Sequence, residues 1–319
     1  CSGGPGRLPA GLRQCYAQYW GTAAITTAKH HNTGSKVELN MHIPHYDNHN
    51  QAIIDCHHDR VPLCYFNIIK LRAGQSFSYR LDDYESCLVP ASGSIDVQVQ
   101  GQVFKQLGQR HHIWQGNPEG AYIPVGCQTT LTCVSDEVEV FLAGARYDQP
   151  HEAFVVRENH IDPVQYGSDD TKTHRKIKHI LGQNPPGKVG RLLVSELFTV
   201  GAGGWSGFPP HKHDTDRLPQ ESHHDEVYNF RFNPVHGFGA QFLTPAGEDY
   251  GPVHHIRNGS TIIVDQGYHP CVAAPGYEMY YFTILAGQSQ RPLHQYFHPD
   301  HAYQLETIPG IKDMISKFK

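Results

Sequence analysis

The stretch SIDVQVQGQVF, residues 94–104, alternates apolar and polar side chains and breaks at Gly101. A period of two places alternate side chains on opposite faces of a strand, so the pattern predicts a hairpin that turns near Gly101. Shorter apolar runs recur along the chain: VEVFLAGA, GRLLVSELFTV, STIIVDQG and MYYFTILAG. Each has the length of a strand, roughly four to eight residues. The 31 glycines and 22 prolines punctuate them. Short strands separated by turns predict a mainly β protein, a sandwich or barrel. Helical spacing is clear only in the tail, TIPGIKDMISKFK, where Ile308, Ile311, Met314, Ile315 and Phe318 share one face. That predicts a short C-terminal helix packed on its own domain.

The β pattern occurs twice, near 60–147 and again near 188–288, with a polar Gly/Asp/Lys-rich stretch between them that includes YGSDDTKTHRKIKH. The expected organisation is a first half over 36–150, a linker over 151–185, a second half over 186–303 and a helical tail over 304–319. Residues 1–35 show no periodicity and are read as an N-terminal extension. The Cys-Ser-Gly start also fits a processed lipoprotein terminus.

Composition narrows the function classes. Net charge is −5 and no basic cluster appears, which argues against a nucleic-acid partner. No apolar run approaches the roughly 20 residues of a membrane span. The eight cysteines are scattered without a CxxC pair, which suits a reducing, cytoplasmic setting.

Histidine is the outlier, with 24 copies. The adjacent pairs 30/31, 57/58, 111/112, 223/224 and 254/255 place neighbours on opposite faces of a strand, which disfavours chelation. PPHKHD, residues 209–214, holds the one HxH, so His211 and His213 face the same side and Lys212 the other, towards the surface. Glu226 heads the run DEVYNF, and His269 follows a glycine turn in DQGYHP. Three imidazoles and a carboxylate suit Zn²⁺, Mn²⁺, Fe²⁺ or Ni²⁺.

These pieces resemble the two cupin motifs. Gly204, His211, His213 and Glu226 form the first, and Gly259, Asp265, Gly267 and His269 the second, with Asp265 where proline is usual. The resemblance extends to a family. GGWSGFPPHKHD, LPQES, DEVY, GYHP and YYFTILAG read in order like the 5-deoxy-glucuronate isomerases, and LRAGQSFSYRLDDYESCLVPASGSIDV resembles their first half. It covers roughly 66–303. It implies a bicupin of two tandem jelly-roll-like β-barrels and a homo-oligomer. It further implies a divalent metal at His211, His213, Glu226 and His269, and an aldose–ketose isomerisation of a small sugar acid in inositol catabolism. Two departures bear on substrate identity: Asn229-Phe230 where the family has Tyr-His, and LTPAGEDYG after Gln241 in place of an acidic, arginine-containing stretch.

A bound divalent cation stabilises the enediolate of such a reaction, and a base relays the proton. Glu221 and Tyr228 are the candidate bases. Arg175, in HRKIKHIL, and Gln241 are the candidate substrate contacts, Arg175 as a bidentate clamp for a carboxylate. The same ligand set fits a cupin oxygenase, and a non-catalytic sugar-acid-binding bicupin is a third reading. The first half is expected to bind no metal. Glu85 falls in its glutamate slot, but Tyr79 and Arg80 replace HxH and Cys127, Gln128 and Thr129 follow its turn. His111 and His112 are the local imidazoles that could replace the missing ligands.

Overall fold

Central strands of this chain are apolar on both faces, and this decides how the sheets stack. The computed structural model describes residues 41–182 and 187–317. The segment 1–35, Phe318, Cys1 and Cys15 therefore lie outside the described residues. In Glu278–Gly287 nine of the ten residues are buried. Tyr280, Phe282 and Ile284 point one way and Tyr281, Thr283 and Leu285 the other. Such a strand needs a layer on each side.

The strands form antiparallel sheets in two sets. In the first half, a six-stranded sheet runs Phe154–Val156, Gly120–Ile123, Tyr84–Ser92, Glu137–Arg146, Cys64–Arg72, Ala52–Ile54. A four-stranded sheet runs Ser76–Tyr79, Thr129–Cys133, Ile95–Val99, Gln102–Leu107. In the second half, a seven-stranded sheet runs His42–Ile43, Thr261–Val264, His224–Asn233, Glu278–Gly287, Leu192–Thr199, Arg175–His179, Val164–Tyr166. Gly204–Ser206, Cys271–Ala273, Phe238–Phe242 and Val253–Arg257 make its four-stranded partner, and His211–Lys212 pairs with Tyr296–Phe297.

The predicted hairpin is present, with Val97 opposite Phe104 and Val99 opposite Gln102. Gln100 and Gly101 both have positive φ, the mark of a two-residue turn whose twist matches the flanking strands. Two expectations need correction. Among the described residues the sheets do not close into barrels: their outer strands have no hydrogen-bonded partner across the gap, and the layers are joined by packing. The stretch 151–185 is no plain linker. Phe154–Val156 pairs into the first half, whereas Val164–Tyr166 and Arg175–His179 extend the second.

The two large sheets meet across one core. Phe282 lies 4.8 Å from Phe141 and 6.2 Å from Phe66 between ring centroids. At the same boundary Arg110 forks onto Glu196 at 2.8 and 2.5 Å. Within the first half, Ile69, Leu88, Ile95, Val97, Leu131 and Leu142 fill the space between its sheets with apolar side chains. The corresponding space in the second half is polar. The tail forms a 3₁₀ turn over Pro299–Glu306 and the helix Ile311–Lys317, whose Ile311 and Met314 pack on Val164, Tyr166 and Ile177. Among the described residues no helix is long and apolar enough to cross a membrane. The six described cysteines, 56, 64, 87, 127, 133 and 271, are free thiols.

Candidate metal centre

Alternation along His224–Asn233 sends Glu226, Tyr228 and Phe230 into the space between the second half's sheets. The HxH segment enters the same space from the short strand pair, and the turn at Gly267 brings in His269. Gly267 has φ +81°, and a Cβ there would stand 2.5 Å from the Thr244 carbonyl oxygen, so only glycine makes this turn. His213, Glu226 and His269 offer ligand atoms that all lie within 4.8 Å of one another, and all three side chains are buried. His213 Nε2 is 3.0 Å and His269 Nε2 3.5 Å from Glu226 Oε2.

The other ring nitrogens fix the tautomers. His213 Nδ1 donates to the His224 carbonyl at 3.2 Å, and His269 Nδ1 to the Gly267 carbonyl at 2.9 Å. A carbonyl can only accept, so Nδ1 carries a proton in both rings; Nε2 of His269 then turns its lone pair inward, whereas Nε2 of His213 donates to Glu226 Oε2 in the metal-free protein. His269 Nε2 is buried with no hydrogen-bond partner. An orphaned inward lone pair beside a second imidazole and a carboxylate fits a divalent transition metal. His211 stands beside the trio, its ring centroid 4.8 Å from that of His269. Its Nε2 lies 2.9 Å from the Gln295 amide nitrogen, so Gln295 supports it.

Electrostatics agree with a ligand set. Burial, with His213 beside it, lowers the His269 pKa to about 4. Burial and its two histidine neighbours hold His211 well below its ordinary value. Burial acts against the charge on His213 too, but the Glu226 carboxylate outweighs it and raises that pKa. Glu226 stays ionised, because the two histidines and the Tyr228 hydroxyl outweigh its burial.

Tyr228 lines this cavity and donates to Glu226 Oε2 at 2.8 Å. Burial and that carboxylate push its pKa well up, so the phenol holds its proton. Arg175 also lines it and is 2% exposed. Its guanidinium donates to Tyr281 Oη at 2.9 Å and Tyr166 Oη at 3.3 Å. Its Nε has no partner, and among the described residues no carboxylate pairs with it.

Three expected residues sit elsewhere. Glu221 is fully buried, and its carboxylate is occupied by Lys212, Arg217 and the amides of Asp214 and Thr215. It is not part of the cavity wall, which removes it from the place of a base. Gln241 is buried behind the His269 loop, donating to the carbonyls of His269 and Pro270 at 2.8 and 3.1 Å. Lys212 does face away from the imidazoles, but it is 5% exposed rather than a surface side chain. Tyr166, Tyr281 and Gln295 were not foreseen. Of these, Tyr281 was legible only as part of a doubly apolar strand, because its hydroxyl becomes informative once Arg175 is beside it.

In the first half, Glu85 lies on the wrong face of its strand for an inward ligand. It accepts from Tyr122 Oη and the amides of Gly190, Arg191 and Leu192. His111 and His112 lie on the wall of a wide cleft of about 700 Å³ that also holds Lys70, Arg72 and Glu137 and gathers no ligand set. A second cluster among the described residues, Asp55, Cys56 and His57, is a solvent-facing turn in which the His57 amide caps Asp55.

Residues 41–304 match the model of the KduI/IolB family. The chain is 32% identical over 247 residues to a 5-deoxy-glucuronate isomerase of Geobacillus kaustophilus, covering 76% of this chain and 86% of that protein. It is 31% identical over 243 residues to the enzyme of the same name from Bacillus subtilis strain 168, covering 76% and 87%. Among solved structures, an IolB-like protein of Salmonella typhimurium superposes with a TM-score of 0.73 at 27% identity, over 79% of this chain and 94% of that one. A variant of Bacillus subtilis oxalate decarboxylase, a cupin-fold protein, matches at 0.56 with 11% identity over 84% and 83%, a likeness of fold alone.

Proposed function

We propose, on the premise that this chain belongs to the KduI/IolB family and is an isomerase, that it converts 5-deoxy-D-glucuronate to 5-dehydro-2-deoxy-D-gluconate. The observation that carries this reading is one cavity holding both an unpaired buried guanidinium, Arg175, and the converging set His213, Glu226 and His269. A permanent charge buried without a carboxylate is costly unless a ligand supplies one. A sugar acid carries that carboxylate at the opposite end from its aldehyde, so one molecule offers a group to each.

His213, Glu226 and His269 would hold a divalent transition metal, with His211 alongside as the fourth candidate. Bound there, such an ion acts as a Lewis acid towards the oxygens of the reacting carbons. The chain's own residues do the rest. Arg175 receives the carboxylate and, with Tyr281 and Tyr166, fixes which end of the substrate is innermost. Tyr228 holds a proton on Oη next to Glu226, where it can be given to or taken from a substrate oxygen as hydrogen moves between C2 and C1. Leu197, Leu285, Leu293 and Phe297 keep water from the reacting carbons. Both departures from the family lie off the cavity wall. Asn229 is buried on the face away from the cavity and donates to Thr261 at 2.9 Å, Phe230 packs on Tyr281, and Tyr250 is exposed. That supports the family's own substrate. The same reading places the protein in inositol catabolism, in the cytoplasm.

The test is incubation of metal-loaded protein with 5-deoxy-D-glucuronate, followed by NMR. Loss of the aldehyde and growth of the ketose, without O₂ or NAD, is the expected result. Oxygen uptake, or binding without turnover, would overturn the assignment.

A further inference from the structure

The lysine between the two histidines of the HxH segment is not at the surface, and its surroundings tie the two ligand-bearing segments together. Lys212 Nζ donates to Glu221 Oε1 at 2.7 Å and to Asp214 Oδ1 at 2.5 Å. Glu221 also accepts from the Asp214 and Thr215 amides at 3.0 and 3.2 Å, which closes the loop after His213 upon itself. Asp214 has a second oxygen. Its Oδ2 accepts the Gly267 amide at 2.7 Å. Gly267 in turn receives His269 Nδ1 on its carbonyl at 2.9 Å. A continuous hydrogen-bonded path therefore runs from Glu221 through Lys212 and Asp214 to Gly267 and His269. It passes behind the ligands, on the side away from the cavity.

Two segments far apart in sequence must hold His213 and His269 at a fixed separation. Among the described residues, the Asp214–Gly267 bond is the side-chain bond that joins the loop after His213 directly to the turn before His269. From this we infer that Asp214 is a positioning residue, held in place by Lys212 and Glu221, that sets the spacing of the metal ligands. The inference rests on the metal reading of the site. Outer groups that orient ligands typically matter by about 10–100-fold in metal affinity.

The test uses the full chain with Asp214→Ala and Asp214→Asn, read out by Zn²⁺ affinity from chelator competition and by the visible spectrum of Co²⁺-loaded protein. Asp214→Ala should bind Zn²⁺ about 10–100-fold more weakly and shift the Co²⁺ bands. Asp214→Asn keeps a carbonyl for the Gly267 amide and should recover part of both. The metal-free melting temperature of Asp214→Asn should stay near that of the parent chain, which separates positioning from unfolding. Parent-like affinity and an unchanged Co²⁺ spectrum in both variants would overturn the positioning role while leaving the metal site standing. A parent chain that takes up neither Zn²⁺ nor Co²⁺ would overturn the metal reading and this inference with it.

Discussion

Arg175 brings a charge that cannot be neutralised by losing a proton into a site from which water is excluded. Two tyrosine hydroxyls solvate it, and in the proposed function a substrate carboxylate would complete the balance. Arg175→Met should therefore lower kcat/KM by about 10–100-fold, the scale of one charge-assisted hydrogen-bonded contact. The uronamide analogue, which lacks the carboxylate charge, supplies the check. The parent enzyme should discriminate strongly against it, and the variant should not. Equal discrimination by both would place the carboxylate elsewhere. His213 carries a second prediction. Its pKa is raised because Glu226 outweighs burial. A group whose folded pKa is raised stabilises the metal-free protein below its unfolded value of about 6.5, and that contribution is lost as pH rises through the folded value. A metal must displace the same proton, so Zn²⁺ affinity should climb with pH through this window and level off above it. Chelator competition at a series of pH values measures this; an affinity independent of pH would remove His213 from the ligand set.

The C-terminal helix is the element with most consequence for access. At Ile311–Lys317 it is too short to be stable by itself, and it is held by Ile308, Ile311 and Met314. Ile311 and Met314 are also wall of the cavity that holds the ligands. That cavity measures about 50 Å³, against roughly 300–1,000 Å³ for ordinary small-molecule sites. For the proposed six-carbon substrate to be held there, this wall would have to give way. Met314→Trp should close the space further and lower kcat/KM by about tenfold or more, without changing metal content. Lys312→Trp, on the exposed side of the same helix, should leave both unchanged. Steady-state kinetics with elemental analysis decide it, and parent-like kcat/KM in Met314→Trp would show that substrate does not pass or occupy this wall.

At the scale of the whole molecule, the halves are held by a core that contains a fully buried ion pair. Arg110 and Glu196 are joined by Tyr280 Oη, which donates to Glu196 at 3.0 Å. Removing one partner leaves a buried charge alone, so Arg110→Ala should cost about 3–5 kcal/mol of stability. Replacing both, as Arg110→Met with Glu196→Leu, should recover most of that loss. Urea denaturation of the three proteins gives the answer. A double variant no more stable than Arg110→Ala would mean that packing, not charge, sets the cost.

Local pattern was enough for much of this protein. Alternation and a turn marked the hairpin at 94–104, short apolar runs marked the strands at 138–145 and 279–287, and helical spacing marked the tail, because those signals depend on neighbours in the chain. The HxH, the glutamate after it and the glycine turn before His269 were legible for the same reason: each is a short motif with its own geometry. What each polar side chain touches was decided by tertiary structure alone. Glu221 and Tyr228 look alike as sequence candidates beside a ligand strand, yet one faces Lys212 and the other the cavity. Lys212 is buried because Asp214 and Glu221, brought round by a loop, offset its charge. Glu85 of the first half falls on the opposite face of its strand, a shift of one residue that a period of two turns into a reversal of direction. The spacing of the sheets is likewise a tertiary matter, because Ile69, Ile95 and Leu131, which fill the space between the first half's two sheets, come from separate strands of the chain.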